Sequence, residues 1–101
     1  MKIEILYVPG CPNYEPAVDR VRETLLAEAV QGEIRLVAIN SQAEANALLF
    51  PGSPTIRING NDVEAQSGTR PSLACRLYTN RSGLPSEEML RAAISAAKEK
   101  E

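Results

Sequence analysis

Hydrophobic and polar positions change period several times along the chain, and each change marks an element. Lys2 to Val8 carries β-formers almost without a break (Ile3, Ile5, Leu6, Tyr7, Val8), the pattern of a strand covered on both faces in the middle of a sheet. Pro9-Gly10 ends it. The period then lengthens. Up to about Val30, Val18, Val21, Leu25 and Ala29 share one helical face, while Asp19, Arg20, Arg22, Glu23 and Glu28 lie mostly elsewhere. Gly32 is the predicted stop. Glu33 to Ile39 is again apolar on both faces, Ile34 and Leu36 against Val37 and Ile39. Strand, helix and strand fill about 38 residues, the size of a right-handed βαβ unit.

A short helix over Gln42 to Leu49 follows, with Ser41 as a candidate cap. Thr55 to Ile58 reads as a strand, Asn59-Gly60 as a hairpin turn, and Asp62 to Ala65 as the returning strand. The last helix runs from an N-cap at Ser86 to about Lys98, with Glu87 and Glu88 at the positive end of its dipole. Leu90, Ala93, Ile94 and Ala97 form its core stripe. The order is β-α-β-α-β-β-α, which predicts one α/β domain over residues 1–101: a four-stranded mixed sheet with helices on both faces. Residues 66–85 fall outside the pattern, as an irregular loop insertion before the last helix, with a short strand at Arg76 to Thr79 as an option within it.

Composition narrows the function. A net charge of -2 gives the chain no pull toward nucleic acid or anionic membrane. Residues 67–85 nevertheless hold Arg70, Arg76 and Arg81 and no acid, a local charge of +3 that leaves -5 elsewhere. No targeting signal and no membrane-length apolar stretch is visible, so the expected compartment is the cytoplasm. Two cysteines are too few for a disulfide scaffold and would be thiols there. With no histidine, His-based catalysis and His metal sites are excluded, and the pattern calls for no cofactor.

Cys11 is the leading chemical candidate. It follows a buried strand and precedes a helix, so it lies at the carboxyl edge of the sheet, where open α/β folds carry their sites. Helix-terminal N–H groups there favour a thiolate, the nucleophilic form, and the Gly10 and Pro12 neighbours argue against a buried structural cysteine. Pro16 fits the first helical turn if Asn13 is the cap, in which case Cys11 stands just outside the helix. Gly52-Ser53-Pro54-Thr55 reads either as a cis-proline turn, offering the Ser53 backbone N–H and C=O to an extended thiol substrate beside Cys11, or as an ordinary trans proline that starts a strand. Cys75 lies in the basic segment, where Arg70 and Arg76 attract anionic thiols such as glutathione; the alternative is a structural cysteine in a loop. Tyr78 reads as packing rather than a catalytic phenol.

The strand ending in Tyr7-Val8-Pro9-Gly10-Cys11-Pro12, the Gly52-Ser53-Pro54-Thr55 turn about 40 residues later and the element order resemble the thioredoxin-like superfamily. Gly10-Cys11-Pro12-Asn13 together with Cys75-Arg76-Leu77-Tyr78 is most similar to small bacterial thioredoxin-family proteins. The resemblance implies a thioredoxin-like fold with Cys11 as attacking thiol and Pro54 as the cis-proline; together with the turn and charge readings above, the expected substrate-binding residues are Pro12, Ser53, Pro54, Arg70 and Arg76. The second cysteine of a Cys-x-x-Cys motif would stand at position 14, which is Tyr14. A dithiol cycle between those two positions is thereby excluded. What remains is a thiol–disulfide oxidoreductase that uses an external thiol, or one in which Cys75 resolves the mixed disulfide, acting on protein or low-molecular-weight disulfides. Two other classes stay open: a thiolate site for a soft metal (Cu, Zn, Hg) or an iron–sulfur cluster, and a non-catalytic interaction module.

Overall fold

A computed structural model describes residues 1–65 and 70–100. Its elements are β1 (Lys2–Tyr7), α1 (Tyr14–Ala27), β2 (Glu33–Ala38), α2 (Gln42–Leu48), β3 (Thr55–Ile58), β4 (Asn61–Asp62) and α3 (Glu87–Lys100). The strands form one mixed sheet in the order β2-β1-β3-β4. β1 runs parallel to β2 and antiparallel to β3, and β4 returns antiparallel to β3. β1 is thus a central strand, which explains its unbroken apolar run. Its Ile3 and Ile5 join Ile56 and Ile58 of β3, Val21 and Leu25 of α1, and Leu90 and Ile94 of α3. Leu6 turns the other way, to Ile39, Phe50 and Ala45 of α2. Helices therefore cover both faces, and each fully buried Ile or Leu contributes about 1.5–3 kcal/mol. None of the described helices is long and apolar enough to cross a membrane.

Several boundaries differ from expectation, each for a local reason. α1 ends before Val30, and its stop is Ala29 rather than Gly32: Ala29 is left-handed (φ 53), and the Val30 N–H turns back to the Leu25 carbonyl at 3.0 Å. Gly32 serves close approach instead, since a Cβ there would lie 2.9 Å from Ile3 Cδ1. Alanine in the left-handed region costs about 1 kcal/mol. Ala29→Gly is therefore expected to raise stability by about 1 kcal/mol in urea unfolding; an unchanged midpoint would contradict this account of the helix end.

Ser41 caps α2 as expected, accepting the Glu44 N–H at 3.1 Å, and Ser86 accepts the Met89 N–H at 3.0 Å at the start of α3. Asn59 (φ 51) and Gly60 (φ 86) make the hairpin turn in the doubly left-handed form their types favour. The returning strand is shorter than predicted, because the Asp62 carboxylate accepts the Glu64 N–H at 2.8 Å and bends the chain out of the sheet. No strand forms at Arg76–Thr79; the pairing falls one residue earlier, as an isolated parallel bridge between Ser53 and Cys75. Residues 66–69 of the predicted loop insertion lie outside the described residues.

Candidate functional site at the carboxyl end of the central strand

Two consecutive turns deliver Cys11. Its N–H donates to the Val8 carbonyl at 3.0 Å across Pro9 and Gly10 (φ 89), the residue types a type II turn requires. Its own carbonyl accepts the Tyr14 N–H at 3.3 Å. Asn13 is the N-cap of α1, and its side chain makes no capping bond. Pro16 is the third helical residue, inside the first turn, where its missing N–H leaves no bond unmade. Cys11 therefore stands outside the helix, the arrangement in which the helix dipole acts on it more weakly.

The Cys11 side chain is half-buried and opens on a pocket of about 550 Å³ lined by Tyr7, Pro9, Pro12, Tyr14, Glu15 and Pro16. The rings of Tyr7 and Tyr14 stack at 3.8 Å, nearly parallel. Desolvation, and then the neighbouring Tyr7 phenol, push the Tyr14 phenol above its ordinary pKa. Tyr14 thus occupies the position where a second motif cysteine would stand and puts an aromatic wall there.

The Ser53–Pro54 turn lies at the same end of the sheet. Its peptide bond is cis. The Ser53 hydroxyl accepts the Val8 N–H at 3.0 Å, so Val8 binds the proline turn through its N–H and the cysteine turn through its carbonyl. The expectation of an open pairing edge on Ser53 is corrected. Its N–H donates to the Ala74 carbonyl at 3.0 Å, its carbonyl accepts the Arg76 N–H at 2.9 Å, and Ser53 is only 1% exposed. Residues 70–76 form a strap along this edge, held also by Ser72 N–H to the Phe50 carbonyl at 2.9 Å and Gln42 Nε2 to the Pro71 carbonyl at 3.1 Å. Pro54 is buried as well. The strap takes up what an extended substrate would have used.

Cys75 is the bridge partner of Ser53 and is exposed on the strap. Both cysteines are free thiols. Pro12 and Arg70 are exposed.

Arg76 overturns its predicted role. It is 3% exposed and turned inward, where its guanidinium holds the Asp62 carboxylate in a bidentate pair at 2.8 and 2.9 Å. It also donates to the Glu64 carbonyl at 2.7 Å and to Thr55 Oγ1 at 3.2 Å, and lies 4.2 Å from the centroid of the Tyr78 ring. A charge committed in this way is an anchor for the strap and attracts no anionic thiol. The sequence signal is an acid-free basic segment that follows Asp62, the acid that pairs with Arg76.

Tyr78 is packing, as expected, and also a bond: its hydroxyl donates to the Pro54 carbonyl at 2.7 Å in a buried position. Burial pushes its pKa far above the ordinary tyrosine value. Because the folded value is raised, the proton's contribution is complete below pH ~10 and is lost as pH climbs toward the folded value. Tyr78→Phe is expected to cost about 1–1.5 kcal/mol at neutral pH. Above pH ~10 that gap should close by up to ~1.4 kcal/mol per pH unit; urea curves for both proteins at neutral and high pH measure it, and a gap independent of pH would count against a buried, protonated Tyr78.

Among the described residues, no group of three or more His, Cys, Asp or Glu side chains could hold a metal ion. No family model matches the chain, and no curated protein or solved structure matches it significantly.

Proposed function

We propose that the chain is a thiol–disulfide oxidoreductase of thioredoxin-like build, with Cys11 as the attacking thiol and Cys75 as the resolving one. The single observation that carries the reading is Val8: its N–H meets Ser53 at 3.0 Å while its carbonyl binds Cys11. Cys75 pairs with that same Ser53, so the three sequence cues meet at one corner. The half-burial of Cys11, with a pocket in front of it, agrees with a sulfur that substrates reach.

In the first step the Cys11 thiolate attacks one sulfur of a disulfide RS–SR. The substrate S–S bond breaks, a Cys11–S–S–R bond forms, and the departing RS⁻ takes a proton from water. The Cys75 thiolate then attacks the Cys11 sulfur and expels the second RS⁻. The protein is left oxidised by two electrons as a Cys11–Cys75 disulfide, and two equivalents of an external low-molecular-weight thiol restore it.

Turnover of a small disulfide with dithiothreitol tests the reading. Cys11→Ser should abolish protein-dependent turnover. Cys75→Ser should keep the first step and let the mixed disulfide on Cys11 accumulate, visible as added mass on the intact protein. Turnover that survives Cys11→Ser would overturn the proposal. Thiols that bind a soft metal stoichiometrically yet exchange with no disulfide would overturn it too.

A further inference from the structure

We infer that the Cys11 site takes small, non-anionic aromatic or apolar disulfides, and neither extended protein chains nor glutathione disulfide. The inference rests on the exchange chemistry proposed above and names its substrate class.

Three observations carry it. The first concerns size. A protein substrate is held in extended form by pairing with an open backbone edge. The edge beside Cys11 belongs to Ser53, and both its N–H and its carbonyl are bonded to the strap at Ala74 and Arg76. The strap is in turn fixed by the Arg76–Asp62 pair, which is nearly sealed from water. A protein chain would have to displace it, whereas a small molecule needs only the pocket of about 550 Å³ in front of Cys11.

The second observation concerns shape and polarity. Pro9, Pro12 and Pro16 and the stacked rings of Tyr7 and Tyr14 line that pocket. Flat, rigid, apolar walls favour a flat apolar ligand, and an aromatic group gains by stacking beyond its buried area. The third concerns charge. Among the described residues Glu15 is the one charged residue lining the pocket, and the arginine nearest Cys75 in sequence is committed inward to Asp62. An anionic disulfide therefore meets a like charge in the pocket lining and no cation within it.

The chemical step is the first half of the cycle: the Cys11 thiolate attacks, the S–S bond of the substrate breaks, and one thiolate leaves and is protonated by water. Single-turnover rates measured in Cys75→Ser isolate it. Each rate is divided by that of N-acetylcysteine with the same disulfide. The probes are dithiodipyridine (aromatic, neutral), dithiobis(nitrobenzoate) (aromatic, dianionic), oxidised glutathione and scrambled ribonuclease. Dithiodipyridine is expected to exceed each of the others by about tenfold, from stacking and charge together. Tyr14→Ala should remove most of that lead, and Tyr14→Phe, which keeps the ring, should retain it. Glu15→Gln, at an exposed position, should raise the dithiobis(nitrobenzoate) rate by about threefold. Fast normalised rates that are equal for all four probes, or indifferent to both Tyr14→Ala and Glu15→Gln, would overturn the substrate class while leaving the exchange chemistry intact. Reduction of scrambled ribonuclease as fast as dithiodipyridine would overturn the size argument. Normalised rates near one with every probe would instead remove the exchange reading itself.

Discussion

Replacing Arg76 with alanine is expected to destabilise the domain by about 3–5 kcal/mol, the largest single effect at this corner. The guanidinium is all but sealed from water and serves Asp62, Glu64 and Thr55 at once. Alanine leaves the Asp62 carboxylate, itself only 15% exposed as a side chain, without its counter-charge, and leaves the Glu64 carbonyl without this donor. Removing one partner of such a pair costs far more than removing both. Arg76→Leu with Asp62→Leu should therefore be more stable than Arg76→Ala alone. Arg76→Lys should fall between alanine and the native protein, since an ammonium keeps the charge but loses the bidentate fork. Urea unfolding of the four proteins measures the order. A loss below about 1 kcal/mol for Arg76→Ala would show the pair to behave like a surface salt bridge.

Gly52→Ala should cost roughly 3 kcal/mol, from two sources that other glycines separate. At φ 140 the backbone is in a region that side chains avoid, and an added Cβ would lie 3.1 Å from the Ala74 carbonyl oxygen and from Cα and Cβ of Arg76. Gly10 and Gly60 also have left-handed φ values, 89 and 86, but a Cβ at either meets nothing within 4 Å. Gly10→Ala and Gly60→Ala thus carry backbone strain alone, about 1 kcal/mol each. The excess in Gly52→Ala measures how tightly the strap lies on the proline turn. It should come with faster amide exchange at Ser53 and Arg76, whose N–H groups make the two strap bonds. If Gly52→Ala were no worse than Gly60→Ala, the strap would be a loose cover.

Much of this architecture was legible beforehand, because local signals and global burial agreed. β1 reads as a central strand because both its faces are apolar, and the Asn59-Gly60 turn follows from two residues that tolerate left-handed backbone. Ser41 and Ser86 cap as their types suggest. The errors fell where a distant group decides. Nothing local says that Ala29 rather than Gly32 turns the chain, since the choice follows from Gly32 being needed against Ile3 and Leu25. The returning strand stops at Asp62, whose carboxylate takes the Glu64 N–H and is itself held by an arginine fourteen positions on. The same holds for the site. Cys11, its turn and the neighbouring proline turn are written in short motifs. The inward turn of Arg76 and the occupation of the Ser53 edge are long-range pairings that residue types leave open. An arginine beside a cysteine in an acid-free loop reads as a charge offered to an anionic partner, and only the fold shows that Asp62 takes it.

The bridge between Ser53 and Cys75 ties chemistry to endurance. The sulfur that would close a catalytic cycle sits one link along the chain from the guanidinium on which this flank depends, so drawing it toward Cys11 tugs at that anchorage. Heat tolerance would then serve as a record of oxidation: the fully reduced form keeps its mooring, and the linked form trades some of it for a covalent tether.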